Sequence, residues 1–233
     1  MATFVKDLYE ILFNTFGNQY WWPVDTHYHL KQKSDPRFEI IIGAILTQNT
    51  AWTNVEKALE NLKKNRAFTI PALLCIQEKT LRTLIQPSGF FNQKAQRLMF
   101  IASYLQKQYN GDLQEFFSQD TSDIHQELLS LQGIGPETAD SILLYAGNHP
   151  VFVVDAYTKR ICRRLPLSTT SDSYDDIQHF FEHELSSCIP EKERIPTYKE
   201  YHALLVRLAK QNCWKKKPSC DDCPLCTLCE KLL

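Results

Sequence analysis

The sequence predicts an all-α fold, on three observations. Segments with apolar residues at helical spacing follow one another from end to end, and no stretch shows the two-residue alternation of a half-buried strand. Only seven glycines interrupt the 233 residues, and no internal repeat appears.

The elements are legible in order. Residues 1–17 read as an amphipathic helix, with neither the basic head nor the apolar run of a signal peptide. Asp35-Pro36 opens a helix that puts Phe38, Ile41, Ile42 and Ile45 on one face. Thr53 and Glu56 read as a capping box ahead of Val55, Leu59 and Leu62. Thr69-Ile70-Pro71 starts another helix, and Pro87-Ser88-Gly89 punctuates before one bearing Lys94 and Arg97. Residues 122–131 give a further helix. Gln132-Gly133-Ile134-Gly135 then make a tight turn that needs glycine's permissive dihedrals. Pro136 suits the first position of the next helix, Gly147 sits just past its end, and Ala139, Ile142, Leu143 and Ala146 line one face. This is a helix–hairpin–helix. Four apolar residues, Val151 to Val154, then lead to Asp155, placed as the N-cap of a helix from Ala156 to Leu165.

Composition bounds the function. Hydrophobic residues make up 43% and charged residues 23%, ordinary for a globular chain with a sizeable core. No stretch approaches the roughly 18 apolar residues of a membrane helix. A soluble, cytoplasmic protein without a membrane partner is expected, nucleoid-associated if the source is bacterial or archaeal. The net charge of −1 argues mildly against nucleic acid, but basic residues concentrate locally at Lys159, Arg160, Arg163 and Arg164, and at Lys210 and Lys215 to Lys217. Either concentration alone is as readily a solvated helix face. The hairpin weakens the charge objection further. Backbone N–H groups around Gly133, Ile134 and Gly135, at a helix N-terminus, can hold a DNA phosphate without side-chain charge.

Five of the eight cysteines fall in the last 21 residues. Disulfides of a secreted domain would be spread more evenly, so a metal is expected. Cys213, Cys220, Cys223 and Cys229 are spaced x6, x2 and x5. Four thiolates suit zinc or an iron–sulfur cluster by ligand type alone, and this spacing differs from the paired hooks of zinc ribbons.

The hairpin LQGIGPETAD, followed by VFVVDAYTKR and the cysteine loop, resembles the endonuclease III superfamily of helix–hairpin–helix DNA glycosylases, over roughly residues 15 to 233. Within it, Trp21-Trp22-Pro23, FEIIIGAILTQNT, PSGFFNQKAQRL and YDDIQHFFE are similar to the 3-methyladenine glycosylase III branch. The chain departs from that branch's best-known member in carrying all four cluster cysteines.

The resemblance implies a two-lobed helical fold: a barrel lobe over 35–150 containing the hairpin (131–147), and a second lobe of 1–34 plus 151–233 ending in a cluster loop (213–229). It implies a monomer acting on double-stranded DNA with a damaged base, and a [4Fe-4S] cluster on Cys213, Cys220, Cys223 and Cys229. Asp155 takes the catalytic position, stabilising positive charge on the sugar as the N-glycosidic bond breaks. Gly133, Ile134, Gly135 and Thr138 fall in the DNA-binding hairpin. Trp21 and Trp52 sandwich the extruded base, Trp22 packs in the core, Gln48 enters the vacated space and Lys210 lies near the pocket. Lyase members carry lysine where this chain has Glu137, so water is the expected nucleophile. Alternatives are an oxidised-pyrimidine glycosylase with lyase activity and a non-catalytic damage-binding protein. The glutamate of mismatch adenine glycosylases appears here as Ala44.

Overall fold

The computed structural model describes residues 2–167, 169 and 171–230. They form two compact units, one of Met1–Trp21 with His149–Leu233 and one of Trp22–Asn148. Residues 22–34 thus belong with the central segment rather than with the termini. The order is α1 (Ala2–Phe16), α2 (Thr26–Gln32), α3 (Pro36–Thr47), α4 (Trp52–Lys64), α5 (Ile70–Cys75), α6 (Glu78–Ile85), α7 (Phe91–Tyr109), α8 (Leu113–Phe117), α9 (Thr121–Ser130), α10 (Pro136–Ser141), α11 (Ala156–Cys162), α12 (Tyr174–Ser186) and α13 (Glu191–Gln211). No strand occurs among the described residues, and none of their helices is long and apolar enough to cross a membrane.

Local chemistry sets the helix starts. Asp35 caps α3 by accepting from the Arg37 N–H, with Pro36 at the first position, and Thr69 caps α5 by accepting from Ala72. The expected capping box at Thr53 does not form. Helix α4 already starts at Trp52, its N-cap is Ala51, and no side chain caps it. The cause lies one residue earlier, where the Thr50 hydroxyl is tied to the Ser88 carbonyl and fixes the loop before Thr53. Gly147 also differs from expectation. After α10 the helix widens into a π turn over Ile142–Gly147, which takes in Gly147, and Asn148 supplies the left-handed cap at φ 56°.

In the central unit α3 is buried on all sides, not on the single face its spacing suggests: every residue from Phe38 to Leu46 is buried. It packs against α4, α7 and the π turn, while α5 and α6 lie on α7. In the other unit α1 packs on α12 and α13 through Val5, Leu8 and Leu12. Its core is aromatic. Phe152 stacks on Phe181 with ring centroids 4.5 Å apart, Tyr198 and Tyr201 meet Phe152 edge-on, and the Tyr201 hydroxyl donates to the Val5 carbonyl.

Candidate active site and cysteine loop

Asp155 is positioned by its approach. The segment Phe152–Val154 is buried and its backbone is held by one polar stripe of α12. Glu182 accepts from the Phe152 N–H (2.8 Å), Gln178 donates to the Phe152 carbonyl (2.8 Å), and the Tyr174 hydroxyl accepts from the Val154 N–H (3.4 Å). These three residues are four apart, so one helix face carries them all. Asp155 then caps α11, accepting from the Thr158 N–H at 2.7 Å.

Its other oxygen, Oδ2, lies 3.6 Å from Nε2 of His202, and both side chains are nearly buried. Burial on its own would raise the Asp155 pKa. The His202 imidazole and the Thr158 N–H outweigh it, so the carboxyl is held below its ordinary value of 3.8. The result is an anion kept ionised in a largely dry place. Sequence reasoning missed His202, because nothing local to Asp155 signals a partner on α13.

Lys210 is exposed at the end of α13, with its ammonium 5.9 Å from the Tyr157 ring centre, two residues beyond Asp155. Arg160 lies over the same ring and donates to the Cys213 and Ala209 carbonyls. The first basic concentration is therefore mostly spent internally. Arg164 donates to Cys213 Sγ and to the Trp214 and Lys215 carbonyls, Arg163 pairs with Asp172, and Lys159 sits against Tyr174. Lys215, Lys216 and Lys217 stay exposed.

In the hairpin, Gly133 takes φ +85° and Gly135 is the extended N-cap of α10. The Ile134 N–H is used by the Leu131 carbonyl and its side chain is buried. Among the described residues, the Gly133 and Gly135 N–H groups meet no backbone acceptor. Thr138 is buried, its hydroxyl accepting from Gln48. Gln48 also donates to the Gly133 carbonyl, and Arg97 donates to its oxygen. Glu137 is exposed in the first turn of α10.

The tryptophans divide. Trp52, half-buried at the start of α4, packs edge to face with Trp22 at 5.4 Å. Trp22 also contacts Tyr145, and Gly43 makes room for it: a Cβ there would lie 2.8 Å from Cζ2. Trp22 is thus a packing residue. Trp21, half-buried, closes the N-terminal segment of the other unit. A second residue missed from sequence is Phe90, which is 64% exposed and left-handed at φ 45° just before α7. An aromatic ring exposed on a strained backbone points to function, but the left-handed turn that presents it has no composition signal beyond Gly89.

Cys213, Cys220, Cys223, Cys226 and Cys229 line one cavity beside Arg164 and Asn212. The fifth thiol, Cys226, joins the four expected ones. The Cys229 thiol donates to the Arg164 carbonyl at 3.0 Å, and burial raises the Cys223 pKa. Among the described residues, no three His, Cys, Asp or Glu side chains are placed to hold a metal ion.

Residues 42–186 match the family described as HhH-GPD superfamily base excision DNA repair proteins. The chain is 42% identical over 227 residues to a putative DNA repair glycosylase of Methanocaldococcus jannaschii, covering 97% of this chain and 95% of that one. It is 28% identical to endonuclease III of Haemophilus influenzae, over 83% of each. Among solved structures it is similar to the H. pylori 3-methyladenine DNA glycosylase bound to 1,N6-ethenoadenine, with TM-score 0.70, 30% identity and coverage of 90% of this chain and 95% of that one. A non-covalent endonuclease III–DNA complex shares the fold at TM-score 0.77 and 21% identity, over 99% and 96%. The chain belongs to the HhH-GPD superfamily of base excision DNA repair proteins, the endonuclease III superfamily.

Proposed function

We propose that this protein is a monofunctional DNA glycosylase that hydrolyses the N-glycosidic bond of an alkylated purine in double-stranded DNA, acting as a monomer. The observation that carries the reading is Asp155: a nearly buried carboxylate that stays ionised because His202 and the Thr158 N–H hold it so. A carboxylate with a lowered pKa is a poor proton acceptor but a dependable anion. Its work is electrostatic, opposing the positive charge that grows on the deoxyribose as the C1′–N bond breaks. Water supplies the new C1′–O bond and loses its proton to solvent or to the departing base.

The hairpin amides of Gly133 and Gly135 hold backbone phosphate, and Trp52 stacks on the extruded base. Base extrusion costs a few kcal/mol, which stacking of about 1–3 kcal/mol per base offsets in part. Glu137 supports hydrolysis over lyase chemistry, since a carboxylate forms no Schiff base. The 30% identical neighbour holding an ethenoadenine supports a purine substrate.

Cys213, Cys220, Cys223 and Cys229 fit a [4Fe-4S] cluster better than zinc. A single zinc needs four thiolates each about 2.3 Å from one point, whereas a cluster spreads its four thiolates around a larger core. The x6, x2 and x5 spacing differs from the paired hooks of a zinc ribbon, and the four thiols line one cavity. When bound, the cluster staples the loop that carries Lys215, Lys216 and Lys217.

The test is a panel of duplexes carrying 3-methyladenine, 7-methylguanine, ethenoadenine, thymine glycol or uracil. Base release from the purine lesions, with strand breaks only after alkali, is expected. Borohydride trapping of a protein–DNA adduct would overturn the monofunctional reading.

A further inference from the structure

Helix α7 presents two cations one turn apart, and both reach the loop between α3 and α4. Lys94 is buried beneath that loop, its ammonium donating to the Leu46 and Ser88 carbonyls and the Thr50 hydroxyl at 2.7–2.8 Å. Arg97 reaches farther. Its guanidinium donates to Oε1 of Gln48, and the Gln48 amide nitrogen donates to the Gly133 carbonyl and the Thr138 hydroxyl, each at 3.0 Å. The stem of Arg97 passes directly under the hairpin turn, so that a Cβ at Gly133 would stand 2.7 Å from its Cδ. Gly133 is at φ +85°, so both backbone conformation and space demand glycine there.

We propose that Arg97 is a positioning residue for DNA binding: with Gln48 it forms a strut from α7 to the hairpin that holds the Gly133 turn in its phosphate-gripping shape. The amide of Gln48 is the middle of that strut. Its oxygen is taken by Arg97 and its nitrogen by two hairpin acceptors, so it is committed before any DNA arrives. Arg97 touches no base; it acts through Gln48 and the turn. The inference rests on the reading of the hairpin as a phosphate grip, and it gives Gln48 a structural task in the free protein.

That task and the filling of a vacated space differ in what is lost. A strut serves every duplex, whereas a residue that fills a vacated space serves only a duplex with a base out. The experiment compares Arg97→Met, Gln48→Ala and the double variant by fluorescence anisotropy, on an undamaged duplex and on one with a tetrahydrofuran abasic analogue. Thermal melting is recorded beside it. Arg97→Met keeps the stem under Gly133 and removes only the guanidinium. A hydrogen bond to a charged group is worth about tenfold in affinity.

The strut therefore requires both duplexes to weaken together by about tenfold in Arg97→Met, with their ratio unchanged. The double variant should be no weaker than either single, and each variant should remain fully folded at the binding temperature. Loss confined to the abasic duplex in Arg97→Met would overturn the proposal, as would additive losses or losses seen only where a variant is partly unfolded. Should Arg97→Met fail to fold, Gln48→Ala reads the same strut from its other end. A wild type that binds both duplexes equally and releases no base from any lesion would overturn the glycosylase reading, a result distinct from any change caused by the variants.

Discussion

Lys94 offers a sharp test of how the loop before α4 is held. The ammonium is 1% exposed and has three acceptors. Burial, with the nearby Arg97 charge, lowers its pKa from 10.5 to about 8. In Lys94→Met the Ser88 carbonyl still accepts from the Thr50 hydroxyl. The Leu46 carbonyl and the Thr50 oxygen lose their side-chain donor, and with Thr50 still donating to Ser88 the main cost is the under-satisfied Leu46 carbonyl, about 1–3 kcal/mol at pH 7.

The pH dependence is the stronger prediction. The folded pKa lies below the unfolded one, so between about 8 and 10.5 the unfolded chain binds more protons, and stability from this group rises with pH. The full rise is about 3 kcal/mol. The buried tyrosines, whose pKa values are raised, act in the opposite direction, but they cancel in the difference between wild type and variant. Urea unfolding of both proteins at pH 7 and pH 10.5 measures that difference. The wild-type advantage should widen by about 3 kcal/mol at the higher pH. An advantage that stays flat or shrinks would refute the burial of a charged amine at this position.

Other expectations concern the second unit, the cysteine loop and the tryptophan packing. Glu182→Ala removes the acceptor for the Phe152 N–H and loosens the segment that delivers Asp155; single-turnover base release should slow by about tenfold, for a hydrogen bond to a charged group. Cys213→Ser should lose bound iron and its visible absorbance, whereas Cys226→Ser should keep both, as iron assay and spectroscopy will show. Gly43→Ala would push on the Trp22 ring, with a cost of about 1–3 kcal/mol in urea unfolding. Because the Asp155 pKa is lowered, its contribution to stability is present above pH 3.8 and is lost only as pH falls through its folded value. The part of the wild-type advantage over Asp155→Asn that this carboxyl supplies should therefore fall away in urea unfolding only below pH 3.8.

Much of this was legible in the sequence because it is local. Asp35-Pro36, Thr69 and Asp155 announce helix starts through their own side chains, and the structure uses each of them as a cap. The hairpin is readable because glycine at φ +85° has few substitutes. What stayed hidden depends on contacts distant in the chain. His202 reaches Asp155 from α13, and Arg97 reaches Gln48 and Gly133 from α7. A charge count could not reveal that Arg160 and Arg164 are spent on carbonyls and a sulfur of the cysteine loop. The misplaced start of α4 has the same origin, since Thr50 is claimed by Ser88, far along the chain.

The central claim is that a fixed negative charge at Asp155 makes the sugar cation attainable. Its most direct test is single-turnover base release from an ethenoadenine duplex by Asp155→Asn, with binding measured in parallel. Asparagine caps a helix as well as aspartate does, so the variant should fold and still bind the lesion. One charge at about 4 Å in a medium of effective dielectric about 20 is worth about 4 kcal/mol, so release should slow by about a thousandfold. A variant that binds normally and retains more than about a tenth of the wild-type rate would contradict the account.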